Sequence, residues 1–264
     1  MPDTDPLDRA AYVEQVMGMP WSVHVRGPNA RRADTAVLVR EAFTELHRID
    51  AVFSTYRPDS DVSRIGRGEL TLEDADPDLA DVHALALLAQ QRTNGLFRVH
   101  LPDARGRVRF DPSGIVKGWA AERAFAMMRV LPDDVCLNAG GDVVVRTSRT
   151  GPEEDRRTWQ VGIERPGGGG VLTVLPLDQG AVATSGVGAR GAHLVDPRIG
   201  RPALALAQVS VTGPSLMWAD VLATAAFVRG PDATEWLQAQ VGYQGLVVQL
   251  DGSLSATPGW PLNG

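Results

Sequence analysis

The spacing of hydrophobic and polar positions changes period several times along the chain. Trp21, Val23 and Val25 alternate with polar residues in WSVHVRG, the two-residue period of a half-buried strand. From Ala33 to about Val52 the apolar residues Val37, Leu38, Phe43, Leu46 and Ile49 recur at helical spacing, which predicts an amphipathic helix. A second helix is predicted from Asp76-Pro77 to about Arg92, with Leu79, Val82, Leu85, Leu88 and Ala89 as its stripe and Asn94-Gly95 as its stop. LFRVHLP and RVRF read as short strands, and the second runs through DPSG into another helix. DVCLNAGGDVVVRT predicts a strand interrupted by its glycine pair, as a bulge or a close backbone approach. RTWQVGIERP and GVLTVLPL are expected to pair antiparallel across the glycines at 167–170, and AVATSGV is a further strand before the turn-rich AHLVDPRIGRP. A short helix is expected from Pro231 to about Val241, and GLVVQLDGSL closes as a hairpin turning at Asp251-Gly252. Strands in series, mixed with a few long helices and without regular β-α-β alternation, predict an α+β fold with largely antiparallel strands. Without an internal repeat or a clear linker, residues 17–264 read as one domain behind a loose leader at 1–16.

One stretch departs from the amphipathic pattern. VTGPSLMWADVLATAAFVRG, at 211–230, predicts a helix with Ser215 as N-cap and Gly230 as C-cap. Its interior is apolar all round except for Asp220 and Thr224, one helical turn apart on the same face. A carboxylate in so apolar a helix is costly to bury uncompensated. A hydrated hard cation compensates it, taking the Asp220 carboxylate and the Thr224 hydroxyl, as magnesium does with one or two carboxylates plus water and phosphate oxygens. The structural alternative places Asp220 on a solvated stripe near the positive helix start and returns the Thr224 hydroxyl to the backbone.

The 264 residues suffice for a full core, and 44% apolar with 22% charged residues is ordinary for a soluble globular chain. A net charge of −6 argues against non-specific nucleic-acid binding. A phosphate-bearing ligand must then be held locally. Five histidines and one cysteine offer no Cys/His zinc pattern, and Cys136 reads as a small core residue. The amino terminus is acidic, without a basic n-region, an apolar h-region or a lipobox cysteine, and no apolar run is long enough to span a bilayer. A cytoplasmic protein with no membrane anchor is the resulting expectation.

Four further stretches gather glycine, charge and hydroxyls. Asp111-Pro112-Ser113-Gly114-Ile115-Val116-Lys117-Gly118 joins a strand to a helix whose start favours anions, with Lys117 as a charge for phosphate; alternatively it is an ordinary turn with a surface lysine. Asn138-Ala139-Gly140-Gly141-Asp142 either brings a nucleotide close to the backbone or is only a bulge. The hydroxyls of Ala183-Thr184-Ser185-Gly186 bind phosphate or cap a turn. His193-Leu194-Val195-Asp196-Pro197-Arg198-Ile199-Gly200 carries a histidine suited to general-base work, or a structural one at a strand end.

In that order, and with the Ala-Asp-x-Leu-Ala-Thr-Ala of the central helix, these segments resemble the ApbE family, the FAD:protein FMN transferases. Met17-Gly18, Ser54-Thr55-Tyr56 and Asp59-Ser60-Asp61 extend the likeness from Met17 to about Gly230. The resemblance implies a single ApbE-like, T-fold-related domain. It implies an enzyme that cleaves the FAD pyrophosphate with Mg²⁺ (Mn²⁺ as the alternative), transfers FMN to a Ser or Thr hydroxyl of an acceptor protein and releases AMP. By the same likeness Gly114, Asp220 and Thr224 hold the metal, with the Gly114 carbonyl as one ligand. Met17, Tyr56, Leu96, Phe97, Arg98, Asp111, Lys117 and Leu194 line the FAD; His193, Asp220 and Lys117 are the catalytic group, His193 activating the acceptor hydroxyl. Arg98 stands where the family usually carries an acid, reversing the local charge. The competing readings are an FAD pyrophosphate hydrolase giving FMN and AMP, and a flavin-binding or carrier protein without catalysis. A nicotinamide oxidoreductase is disfavoured because no Gly-x-Gly-x-x-Gly follows a strand.

Overall fold

The structure, a computed structural model, describes residues 8–102, 106, 108–148, 157–186 and 195–260. In chain order its elements are β1 (Arg9–Val16), β2 (Met19–Arg26), α1 (Ala33–Phe53), α2 (Asp61–Gly66), α3 (Asp78–Arg92), β3 (His100–Pro102), β4 (Val108–Phe110), α4 (Ser113–Met127), β5 (Asp134–Ala139), β6 (Asp142–Arg146), β7 (Trp159–Glu164), β8 (Val171–Leu177), β9 (Gln179–Gly186), β10 (Val195–Asp196), β11 (Arg201–Pro202), β12 (Leu206–Gly213), α5 (Leu216–Arg229), α6 (Ala233–Gln238), β13 (Gln244–Gln249) and β14 (Leu254–Ala256). Eight strands form one sheet in the order β1-β2-β5-β6-β9-β12-β13-β14. Every pairing in it is antiparallel. The α+β expectation therefore holds, in a single domain.

Strand alternation splits the sheet into two faces. Val135, Leu137, Val209 and Val211 point to the large core shared with α1, α3, α4 and α5. Cys136, Val143, Val145, Val182 and Leu246 point the other way and are covered by Val161, Ile163 and Leu175 of the β7–β8 hairpin. That hairpin pairs with no other strand among the described residues. Nearly every residue of α5 is buried, as a helix apolar all round requires. It lies on β9 and β12 with α4 against it. Among the described residues no helix is long and apolar enough to cross a membrane.

Three expectations need correction. The leader is not loose throughout, because Arg9–Val16 is β1 and pairs residue for residue with β2. As an edge strand it is held by main-chain bonds and exposes Val13, so its weak apolar alternation hid it. The glycine pair is neither bulge nor break: Ala139 pairs with Asp142, making Gly140-Gly141 the two-residue turn of a β5–β6 hairpin. Both glycines have positive φ, 61° and 106°, as such turns demand. Finally, α1 buries Val39, Ala42, Phe43, Leu46 and Ile49 while Val37 is exposed, and Leu88 of α3 is exposed too. The buried stripes are rotated from those inferred by counting large apolar residues.

Candidate active site

Two hairpin turns meet at one end of the sheet. Val16 pairs with Met19, so Met17-Gly18 is the turn between β1 and β2, with φ of 54° and 71°. Because β2 pairs with β5, this turn sits beside Gly140-Gly141, whose Gly140 N–H donates to the Pro20 carbonyl at 3.0 Å. A Cβ on Gly140 would strike the Met19 sulfur. Met17 adopts left-handed backbone without being glycine, a conformation side chains rarely take, and its side chain lines a large cavity.

That cavity, about 1640 Å³, lies between this end of the sheet, the start of α4, one face of α5 and the β7 edge. It exceeds the usual span of ligand pockets, about 300–1000 Å³. Residues Trp159 through Arg165 line it consecutively, whereas the strand period puts only alternate residues on one face, so β7 meets the cavity edge-on. Gln160 pairs with Pro176, which has no N–H to give. The main-chain groups of Gln160, and of Gly162 two residues on, therefore face away from β8.

The start of α4 enters the cavity from the opposite side. Asp111 Oδ1 accepts the Ser113 N–H at 3.0 Å, turning the chain into the helix. Gly114 is needed because a Cβ there would lie 3.1 Å from the Phe97 ring. Leu96 and Phe97 are buried in the cavity wall beneath, while Arg98 is exposed, its Nε donating to the Gly95 carbonyl at 3.1 Å. Tyr56, 95% exposed, stands at the rim. The neighbouring Ser54 and Ser60 close the loop: the Ser60 hydroxyl caps α2 by accepting the Ser63 N–H and donates to the Ser54 carbonyl.

Asp220 and Thr224 face the cavity from α5, next to Lys117 of α4. The approach depends on Gly118, where a Cβ would come within 2.6 Å of the Met217 Cα. The Lys117 ammonium bridges two carboxylates, pairing closely with Asp142 and lying 3.3 Å from Asp220 Oδ2. Burial alone would lower the Lys117 pKa, but Asp220 and Asp142 outweigh it and hold the ammonium charged, its pKa raised. Asp142 Oδ1 accepts the Thr184 N–H at 3.0 Å, and the Ser185 and Thr224 hydroxyls are 3.2 Å apart. Thr184 and Ser185 lie within β9, and among the described residues their hydroxyls meet those of Ser210 and Thr224. Cys136 also reaches the cavity wall, but burial pushes its thiol up to about 12, leaving it neutral and no nucleophile near pH 7.

Of the candidate residues, Met17, Tyr56, Leu96, Phe97, Arg98, Asp111, Gly114, Lys117, Asp220 and Thr224 thus share one cavity. His193 and Leu194 lie outside the described residues. The segment just after them does reach it, through Val195 and Pro197, and is anchored by Arg198, which grips Asp196 and donates to the Val228 carbonyl at 3.2 Å. No role for Asp142 follows from the motifs alone; its signal in the sequence is an acid directly after a glycine pair and before the apolar Val143-Val144-Val145.

The donor set fits a hard cation. Among the described residues no group of three His, Cys, Asp or Glu side chains is placed to hold a metal. A cation here would rest on one or two carboxylates, the Thr224 hydroxyl and a ligand's own oxygens, which is magnesium's manner of binding. Among the described residues, Lys117 is the ammonium that the Asp142 and Asp220 carboxylates share.

Comparison with known proteins agrees with this picture. The model of the ApbE family matches residues 17–104 and 98–247. A FAD:protein FMN transferase of Rhodobacter capsulatus is 33% identical over 162 residues, 57% of this chain and 30% of that protein. One of Haemophilus influenzae is 31% identical over 145 residues, 50% of this chain and 41% of that protein. The matched stretches span less than half of those relatives. Among solved structures, the ApbE protein of Thermotoga maritima superposes with a TM-score of 0.79 at 22% identity, covering 95% of this chain and 97% of that one. Pseudomonas stutzeri flavinyl transferase ApbE, in its apo form, does so with a TM-score of 0.79 at 23% identity, covering 96% and 95%.

Proposed function

The chain belongs to the ApbE family, and from that premise we propose that it is a metal-dependent FAD:protein FMN transferase. The observation that carries this reading is the joining of Lys117, Asp142, Asp220 and Thr224 in a cavity roomy enough for a dinucleotide. The activity named for the relatives supports it.

In the reaction a Ser or Thr oxygen of an acceptor protein bonds to the FMN phosphorus. The bond from that phosphorus to the bridging oxygen breaks, AMP leaves with the electron pair, and the hydroxyl proton passes to a base. Phosphoryl transfer asks the protein mainly for positioning and charge neutralisation. Lys117 supplies a positive charge, and the positive start of α4 at Gly114 favours an anion. Phe97, Leu96 and Met17 give apolar surface for the flavin, with Tyr56 at the rim. Asp220, Thr224 and the Gly114 carbonyl would hold Mg²⁺ or Mn²⁺; when bound, that ion adds positive charge at the pyrophosphate. His193 is the residue proposed to take the hydroxyl proton.

AMP release from FAD by the purified protein, with Mg²⁺ and with EDTA, tests this directly. Metal-dependent AMP together with an acceptor gaining the FMN mass is the expected result. AMP with free FMN only would make it a hydrolase, and bound FAD without turnover would make it a carrier.

A further inference from the structure

Asp142 is among the most enclosed charges in the molecule, 2% exposed, and one of its oxygens is already fixed by the Thr184 N–H. Its other oxygen takes the Lys117 ammonium, which Asp220 also shares. Asp220 therefore already has a positive charge beside it. A divalent ion arriving at Asp220 meets that ammonium and is repelled by it, in a place where little water screens the two.

We propose that Lys117 is the resident counter-ion of the cation seat: it neutralises Asp220 when no divalent ion is bound, and Asp142 is the positioning residue that keeps the ammonium when such an ion displaces it from Asp220. The inference rests on the reading of Asp220 as a cation ligand given above. Asp142 suits the role because its position is set by a main-chain N–H of β9, whereas Lys117 sits on a flexible four-carbon stem. The side of the ammonium released from Asp220 then faces the cavity and a pyrophosphate anion. Cation and pyrophosphate ligand thereby favour each other's binding, while the metal-free protein avoids two uncompensated buried carboxylates.

The test is calorimetric titration with Mg²⁺, alongside thermal unfolding in EDTA and in Mg²⁺, for wild type, Lys117→Gln, Asp142→Asn and the double variant. Lys117→Gln should bind Mg²⁺ about 10-fold more tightly than wild type, melt lower in EDTA, and recover most of that loss in Mg²⁺. Asp142→Asn should weaken Mg²⁺ about 5-fold or more, because the displaced ammonium has lost its second partner. Should Lys117→Gln fold poorly in EDTA, the double variant, whose cluster charge equals that of wild type, replaces it and should still bind Mg²⁺ about 10-fold more tightly than Asp142→Asn. A folded variant lacking Lys117 that binds Mg²⁺ no more tightly than its parent overturns the proposal, since Lys117 would then be orienting Asp220 rather than competing for it. No Mg²⁺ binding by any variant, with melting unchanged by Mg²⁺, would instead remove the cation reading beneath it.

Discussion

Asp220→Asn should lower FMN transfer by about 10³-fold while the protein stays folded. The two halves of that result have separate causes. On the proposed reading transfer falls because the neutral amide, even through its oxygen, holds a hard cation far more weakly than the carboxylate that α5 turns into the cavity. Stability survives because Lys117 keeps its close ion pair with Asp142. Asparagine also keeps the volume, so no hole opens. AMP release measured beside the melting temperature separates the two effects. Full activity in the variant would take Asp220 out of the mechanism.

Gly118→Ala should destabilise the protein by about 3 kcal/mol, against the roughly 1 kcal/mol that helix propensity alone would favour. The clash decides the sign. The new methyl would sit 2.6 Å from Met217 Cα, 3.1 Å from Met217 N and 3.3 Å from the Leu216 carbonyl oxygen, all main-chain atoms that no rotamer change can move. The first turn of α5 must shift, carrying Asp220 away from Lys117. A fall in melting temperature of about 6–12 °C is expected for a chain of this size, with activity lost beyond what unfolding explains. Gly66→Ala in α2 is the control: nothing lies within 4 Å of that Cβ, so it should be neutral or slightly stabilising.

Elements whose period came from one-sided burial were legible in the sequence. The helix limits at Ala33, Arg92 and Ser215 came out within a residue or two, and the Ser215 hydroxyl does accept the Trp218 N–H. What was not legible depends on pairing. β1 is an edge strand whose hold is main-chain bonding to β2 rather than buried apolar residues. The same blindness applies at the site. Motif order named Lys117, Asp220 and Thr224, but only the fold shows that Lys117 is shared, because Asp142 arrives on β6 from beyond a hairpin turn. No local pattern encodes which buried acid meets which base.

The unequal size of the two cores has a mechanical outcome. One wall of the cavity, α5, is fixed in the large core, while the opposite wall, β7, leans on a small cluster and, among the described residues, pairs only with β8. Opening free energy follows buried contact, so the hairpin should swing or fray well below the global unfolding threshold. Hydrogen exchange should show it, with Gln160 and Gly162 amides exchanging fast and those of Val221 to Phe227 among the slowest. The pocket would then have one rigid jaw and one compliant one. The protein acceptor proposed above would be admitted by yielding of the hairpin, while the charged residues on the rigid side keep their places.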